Sequence, residues 1–305
     1  MLRRLLRLPS FRVAAIILLV IVLIGAFGPL ISPDNPLTGS SNLLKGSSAA
    51  HLLGTDYLGR DVLSRLLSGA PVSVLSAFEA AAIALIVGTI PGLLSVYLGR
   101  VFEWFTLRIM DTLIALPFLV FAVAMTALLG NGLNQAMLAV GILLAPMFYR
   151  VSRAAALSVS SSQYVEAAVL SGGSTLWVLR RHIGPKVIAP VGIAFANATS
   201  VGLVIVASLT FLGIGVQPPA PTWGGQLASD LGYLSYQPFA PVIPVILIAL
   251  TVFALNLMAD VLRDASGESG RILLKKRALK RAKRRGVRLG GALAGGASAG
   301  KAGAR

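Results

Sequence analysis

The chain has 305 residues, 56% of them hydrophobic and only 12% charged, with a mean hydropathy of +0.82. That leaves too little polar surface for a soluble protein of this length and makes it an integral membrane protein. The absence of cysteine excludes disulfides, thiolate metal sites and a cysteine nucleophile, and much of the net charge of +16 lies in a tail after Arg271 rather than on a nucleic-acid-binding domain.

Residues 1–12 carry Arg3, Arg4, Arg7 and Arg12, and an apolar run follows over 13–31. The run is long enough to span, and Pro29, Ser32 and Pro33 stand at its end in place of a small-x-small cleavage site. Residues 1–32 therefore read as a retained signal anchor with its N-terminus inside. Residues 33–71 are polar and rich in Gly, Ser and Asn, an external loop. Within it, Leu58, Val62, Leu63 and Leu66 share one helical face and predict an amphipathic helix lying on the membrane. His51 reads as a surface residue, because no second His, Cys or paired carboxylate stands at metal spacing.

Apolar stretches over 72–98, 107–129, 133–157, 187–214 and 239–262 each approach or exceed the twenty residues needed to cross, giving six spans with the anchor. Pro91, Pro117, Pro146, Pro241 and Pro244 kink or begin them, and Gly88, Gly92 and Gly141 allow close helix contact. Glu79 is the one acid well inside a span. About two turns from the outer end, it can reach interfacial water, a bland role beside that of lining a cation path. Asp111 follows Arg108 by three residues and is expected to pair with it. Asp260, Arg263 and Asp264 fall at the inner end of the last span, as ion pairs and orientation anchors.

Residues 158–190 interrupt the apolar pattern with Glu166, Arg180, Arg181, His182 and Lys186, so this stretch lies outside the hydrocarbon. A short helix is predicted over 163–170, with Ser160, Ser161 or Ser162 as N-cap and Gly172-Gly173 ending it. Ser174 or Thr175 caps a second helix through Leu176, Trp177, Val178 and Leu179, with Arg180, Arg181 and His182 in its last turn. A connector merely floating Trp177 and Leu179 among headgroups is the bland alternative. Beyond the fifth span, residues 215–224 are rich in Gly and Pro, a semi-rigid loop with Trp223 as an interfacial anchor. Arg100, Arg108, Arg150, Arg153 and the basic tail all fall on the side of the N-terminus, so the positive-inside rule makes both termini and the central loop cytoplasmic.

Four segments carry a family resemblance. Glu166-Ala167-Ala168, Gly172, His182 and Pro185 resemble the E-A-A loop of ABC-importer permeases, which docks on the ATPase. Residues 53–61 resemble the L-G-T-D-x-x-G-R-D segment of the C-type permease of dipeptide and oligopeptide importers. Residues 208–224 resemble the S-L-x-F-L-G-x-G-x-Q-P-P-x-P-x-W-G segment of those permeases, and residues 256–264 their N-L-x-x-D-x-L-R-D ending.

The resemblance implies an all-α integral membrane protein of six transmembrane helices with the type I ABC-importer permease fold. Its permease core covers 72–264 with a coupling loop at 158–186, and 265–305 form a basic cytoplasmic tail whose composition argues disorder and anionic-lipid contact. It implies import of dipeptides or oligopeptides in a bacterial or archaeal plasma membrane, with nickel or another small solute as the alternative within the family. The implied partners are a homologous B-type permease, two cytoplasmic ABC ATPases, an extracytoplasmic solute-binding protein and membrane lipid, with no specific nucleic acid. Glu166, Ala167, Ala168, Gly172, His182 and Pro185 are the implied ATPase-coupling residues. No catalytic, cofactor or metal residue is expected, since there is no G-x4-G-K-S/T loop and ATP and Mg would be held by the ATPases. Gly184 stands where the family has leucine, which is expected to loosen the second short helix or remove an apolar contact. Of the rival classes, an ion-gradient transporter has only Glu79 to offer, and an intramembrane hydrolase is opposed by the placement of His51 and His182 in loops.

Overall fold

The computed structural model describes residues 8–265; the arginines at positions 3, 4 and 7 and nearly all of the basic tail lie outside the described residues. Residues up to Val261 belong to one compact unit, and the last described residues, 262–265, which finish the final helix, belong to a second. Among the described residues there are ten helices and no strand.

Helix α1 (Pro9–Ile31) is apolar over almost its whole length and packs along α2 (Val62–Leu94). At 33 residues, α2 is roughly 50 Å long. That exceeds the roughly 30 Å of a hydrocarbon core. Its first turns are the surplus. Asp61 caps it through the Ser64 N–H at 2.7 Å, and Val62 and Leu66 are buried. The predicted amphipathic helix on the membrane is therefore not a separate element. Its Val62, Leu63 and Leu66 are the start of α2, while Leu58 precedes the cap and stays exposed.

Helix α2 packs most extensively on α5 (Leu133–Ser160), and glycines set that contact. A Cβ on Gly88 would run into the Ala145 carbonyl, one on Gly92 into Tyr149 and Ser152, and one on Gly141 into Ile83. All three expected positions of close approach thus lie in one seam, where bare backbone lets the two helices approach.

The stretch predicted as one span over 107–129 is two helices, α3 (Arg100–Ala115) and α4 (Phe118–Leu129), bent by 101°. Pro117 is the reason: its ring forces Leu116 out of the helical region, to φ −76° and ψ 132°. Pro91 and Pro146, by contrast, are accommodated inside α2 and α5. The bent pair still follows α5 from end to end. In α3, Glu103 pairs with Arg153, and the Thr106 and Tyr149 hydroxyls lie 2.9 Å apart. In α4, Ala122 packs with Met137 and Val140 near the other end of α5. Taken as one broken span, α3 and α4 bring the spans to six. The expected Arg108–Asp111 pair is not made, because each finds another partner: Asp111 accepts from Arg150 of α5 at 3.0 Å, and the Arg108 guanidinium lies over Trp104.

After α5 come α6 (Gln163–Leu170) and the four-residue α7 (Thr175–Val178). A π-helical turn, Leu179–Ile183, then runs straight into α8 (Gly184–Phe211). A short helix, α9 (Trp223–Leu231), precedes the final span α10 (Val242–Ala265). Helix α9 folds back on α2 and α8 at the end of the bundle that also holds residues 32–61. That end is called the cap end below, and the end carrying 161–183 the loop end.

Candidate functional site

At the loop end the local sequence makes two short helices and seats them on the bundle. Helix α6 spans Gln163–Leu170 with Ser162 at its N-cap position, though the Ser162 hydroxyl bonds the Val159 carbonyl rather than an N–H of the helix. It stops at Gly172, whose φ of +84° lies in the left-handed region that glycine enters without strain. The Gly172 and Gly173 N–H groups donate to the carbonyls of Val169 and Ala168. Ser174 then caps α7, its hydroxyl accepting from the Trp177 N–H at 3.4 Å.

Val165, Val178 and Ile183 are buried and join the core made by Ala81, Ala84, Phe148, Val187 and Val191. These three side chains fasten the loop to α2, α5 and α8, so a force on the loop reaches the spans through packed contacts. The opposite side of the loop stays open: Glu166, Ala167, Gly172 and Pro185 are exposed, and Ala168 and His182 are half-buried. Tyr164, Val169, Leu170 and Trp177 present apolar surface beside them. A concavity of about 630 Å³ is lined by Tyr164, Ala167, Ala168, Ser171, Gly172, Gly173, Ser174 and Trp177.

The predicted coupling residues do not all meet. Ala167, Ala168 and Gly172 share the concavity, whereas the His182 imidazole lies behind it, its ring centre 5.1 Å from Trp177 and 6.0 Å from Tyr164. The His182 Nε2 is buried with no hydrogen-bond partner among the described residues. Arg180, Arg181 and His182 were expected at a helix C-terminus. They instead occupy the π-helical turn, which continues into α8. Gly184 belongs to the same joint. Its N–H donates to the Leu179 carbonyl five residues back, and a Cβ there would come within 3.2 Å of that oxygen. Gly173 was expected only to help end α6, but it also shapes the concavity, since a Cβ on it would press the Trp177 ring at 3.1 Å. The doubled glycine was the available signal.

The cap end is a second built region. Gly54 and Gly59 take φ of +79° and +73°, and the turn between them folds Asp56, Arg60 and Asp61 inward, all at least 96% buried. Asp56 accepts from the Arg60 Nε at 2.7 Å, and Arg65 donates to Gln226 of α9 at 2.7 Å. Gln226 in turn donates to Asp230 at 2.7 Å. Burial pushes the Asp230 carboxyl up to about 6, with the Gln226 hydrogen bond working against it. Trp223, expected as an interfacial anchor, is completely buried and donates from its indole to the Leu66 carbonyl at 3.0 Å. The fold also brings two carboxylates to His51, which is partly buried rather than on the surface, although no paired carboxylate stands at metal spacing in sequence. Its Nδ1 stands 3.1 Å from Asp61 and 3.6 Å from Asp34. Glu79 is half-buried between exposed Leu75 and Ile86 on the outward face of α2.

Residues 92–268 match the family described as "Binding-protein-dependent transport system inner membrane component", and residues 1–45 match "N-terminal TM domain of oligopeptide transport permease C". The chain belongs to the binding-protein-dependent transport permeases. Among curated relatives, the di/tripeptide transport system permease protein DppC of Pseudomonas aeruginosa (strain UCBPP-PA14) is 38% identical over 81% of this chain and 84% of that protein. The glutathione transport system permease protein GsiD of Shigella dysenteriae serotype 1 (strain Sd197) is 36% identical over 83% of this chain and 84% of that protein. In fold, the permease is similar to a chain of the MetNI methionine ABC transporter in an inward-facing form, with a TM-score of 0.51 and 20% identity. That likeness covers 66% of this chain and 96% of the other. As in the sequence reading, the permease is a multi-pass, all-helical membrane protein of the ABC-importer type.

Proposed function

We propose that this permease is the C-type subunit of an ATP-driven importer of dipeptides or short oligopeptides, and that residues 161–183 are its contact with an ATPase. The observation that carries the reading is the two-sided loop. Val165, Val178 and Ile183 lock one side into the bundle, while the E-A-A residues and Gly172 are offered on the other. An arrangement of this kind turns a displacement of the docked partner into a displacement of α5 and α8. The names of the relatives support a peptide cargo, and glutathione is itself a tripeptide.

On this reading the loop end is cytoplasmic, the membrane is the plasma membrane, and the cap end faces the solute-binding protein. A homologous B-type permease completes the translocation path. Two ABC ATPases bind ATP and Mg, and this chain contributes coupling rather than hydrolysis. Glu166, Ala167, Ala168 and Gly172 make the contact, with His182 and Pro185 holding the joint behind it. The test is reconstitution with the B-type permease, ATPases and binding protein, followed by ATP-dependent uptake of labelled dipeptide, glutathione and nickel in parallel. Uptake of peptide and not of nickel is expected; nickel uptake alone would replace the cargo assignment, and no ATP-dependent uptake of any of them would sink the reading.

A further inference from the structure

Between the last turns of α2 and the first turns of α8 lies a groove of about 390 Å³, lined by Thr89, Leu93, Arg180, Pro185, Ile188 and Val191 among others. Its walls are almost wholly apolar and belong to two helices long and apolar enough to cross a membrane, Val62–Leu94 and Leu179–Phe211, at the loop end of both. Ile188, in its wall, is 70% exposed. Arg180, from the π-helical turn at the start of the second of these helices, is exposed and lines one end of the groove. Arg181 and Lys186 are exposed on the same short stretch, and none of the three cations has an ion pair among the described residues. Thr89, another lining residue, has a buried hydroxyl without a hydrogen-bond partner among the described residues.

We infer that this groove is a binding site for a phospholipid with an anionic headgroup. One acyl chain would lie along Leu93, Ile188 and Val191, and the phosphate would meet Arg180 where the span leaves the hydrocarbon. Charge complementarity selects the occupant. An apolar trough with a cation at its membrane-surface end fits a molecule that is apolar along its length and anionic at one end. A carboxylate on a soluble partner supplies an anion for Arg181 or Lys186 but not the long apolar body that the trough takes. The position matters for transport, because Arg180 and Gly184 sit in the joint between the loop and α8. A lipid wedged there stiffens the joint through which the loop moves the span. The inference rests on the proposed orientation only for the leaflet, which is then the cytoplasmic one.

The test uses the whole complex, purified with its partner subunits from vesicles of phosphatidylcholine mixed with phosphatidylglycerol, with retained lipid counted by native mass spectrometry. The wild-type complex is expected to keep phosphatidylglycerol in preference to phosphatidylcholine. Arg180→Gln should weaken that retention by about fivefold, the effect of one cation near an anionic surface. Ile188→Trp should abolish it by filling the trough, and it leaves every charge of the chain in place, the tail included. Arg181→Gln, which removes a cation outside the groove, should retain the lipid. Equal retention by all four complexes, or equal loss in Arg180→Gln and Arg181→Gln, would show diffuse surface attraction and overturn the site. Since bound lipid is the readout, failure here leaves peptide import untouched, and failure of import leaves this result standing.

Discussion

Gly172 takes a backbone conformation that no other residue in the loop adopts, with open space where its Cβ would be. A larger residue there is opposed by torsion rather than by a clash, at about 1–2 kcal/mol for the left-handed region and more for a β-branched side chain. Gly172→Val is therefore expected to re-aim α6 against α7 while Val165 and Val178 keep the loop seated. The reconstituted complex should still hydrolyse ATP but import peptide at least severalfold more slowly; unchanged uptake per ATP would remove Gly172 from the coupling contact. Asp230 presents the opposite case, a group held where its charge is unwelcome. A carboxyl raised from 3.8 to about 6 by burial adds no penalty while folded and unfolded chains are both protonated. The stability present below its ordinary value is lost as pH rises toward the folded value, on the order of 3 kcal/mol once titration is complete. Asp230→Asn should thus raise the unfolding temperature of the permease above about pH 7 and leave it unchanged near pH 4. A gain of equal size at both pH values would point to packing instead. The glycine stop at 172 was legible because only glycine turns that corner cheaply. The burial of Asp56, Arg60, Asp61 and Arg65 was not, since it depends on Gln226 and Pro36 arriving from distant parts of the chain.

At the scale of elements, hydropathy located every span but could not say which would be straight. Pro91, Pro117 and Pro146 look alike in sequence, yet only Pro117 ends a helix. Polar contacts of α3 with α5 at Glu103, Thr106 and Asp111, together with apolar contacts of α4 at Ala122, hold the two arms in different directions. The π-helical turn was likewise hidden, since it needs the backbone bond from Gly184 to Leu179 rather than any side-chain pattern. Close approach at Gly88 and Gly92 was legible, because small residues four apart on one helix allow it, but not that α5 would be the partner. It also gives a clean comparison. Gly88→Val drives a branched side chain into the Ala145 backbone, whereas a Cβ on Gly192 of α8 meets nothing within 4 Å. Overpacking of this kind costs about 1–3 kcal/mol or more where backbone cannot yield. Gly88→Val should therefore lower the yield of monodisperse permease on size exclusion while Gly192→Val leaves it at the wild-type level. Equal yields would mean that the seam opens without loss.

For the whole molecule, the decisive question is which end faces the cytoplasm, and here charge speaks more strongly than geometry. Arg100, Arg108, Arg150, Arg153, Arg180, Arg181 and Lys186 all belong to the loop end or to the chain leading into it. At the cap end, Arg60 and Arg65 are folded inward against Asp56, and residues 215–237 contain no basic residue at all. Basic residues that are neutralised and buried after insertion still count during insertion, but Lys45, Arg60 and Arg65 beside Asp34, Asp56 and Asp61 are a weak signal against seven at the other end. That asymmetry supports the proposed orientation, with the loop end on the side of ATP. Because the chain has no cysteine, single cysteines report directly. Ser161 is exposed at the loop end, just ahead of α6, and Ser47 is exposed among the cap residues. With a membrane-impermeant thiol reagent, Ser47→Cys should be labelled from outside the plasma membrane and Ser161→Cys only after permeabilisation. The reverse pattern would put Glu166 and Gly172 on the side without ATP, and the loop could not then be the ATPase contact, whatever its likeness to one.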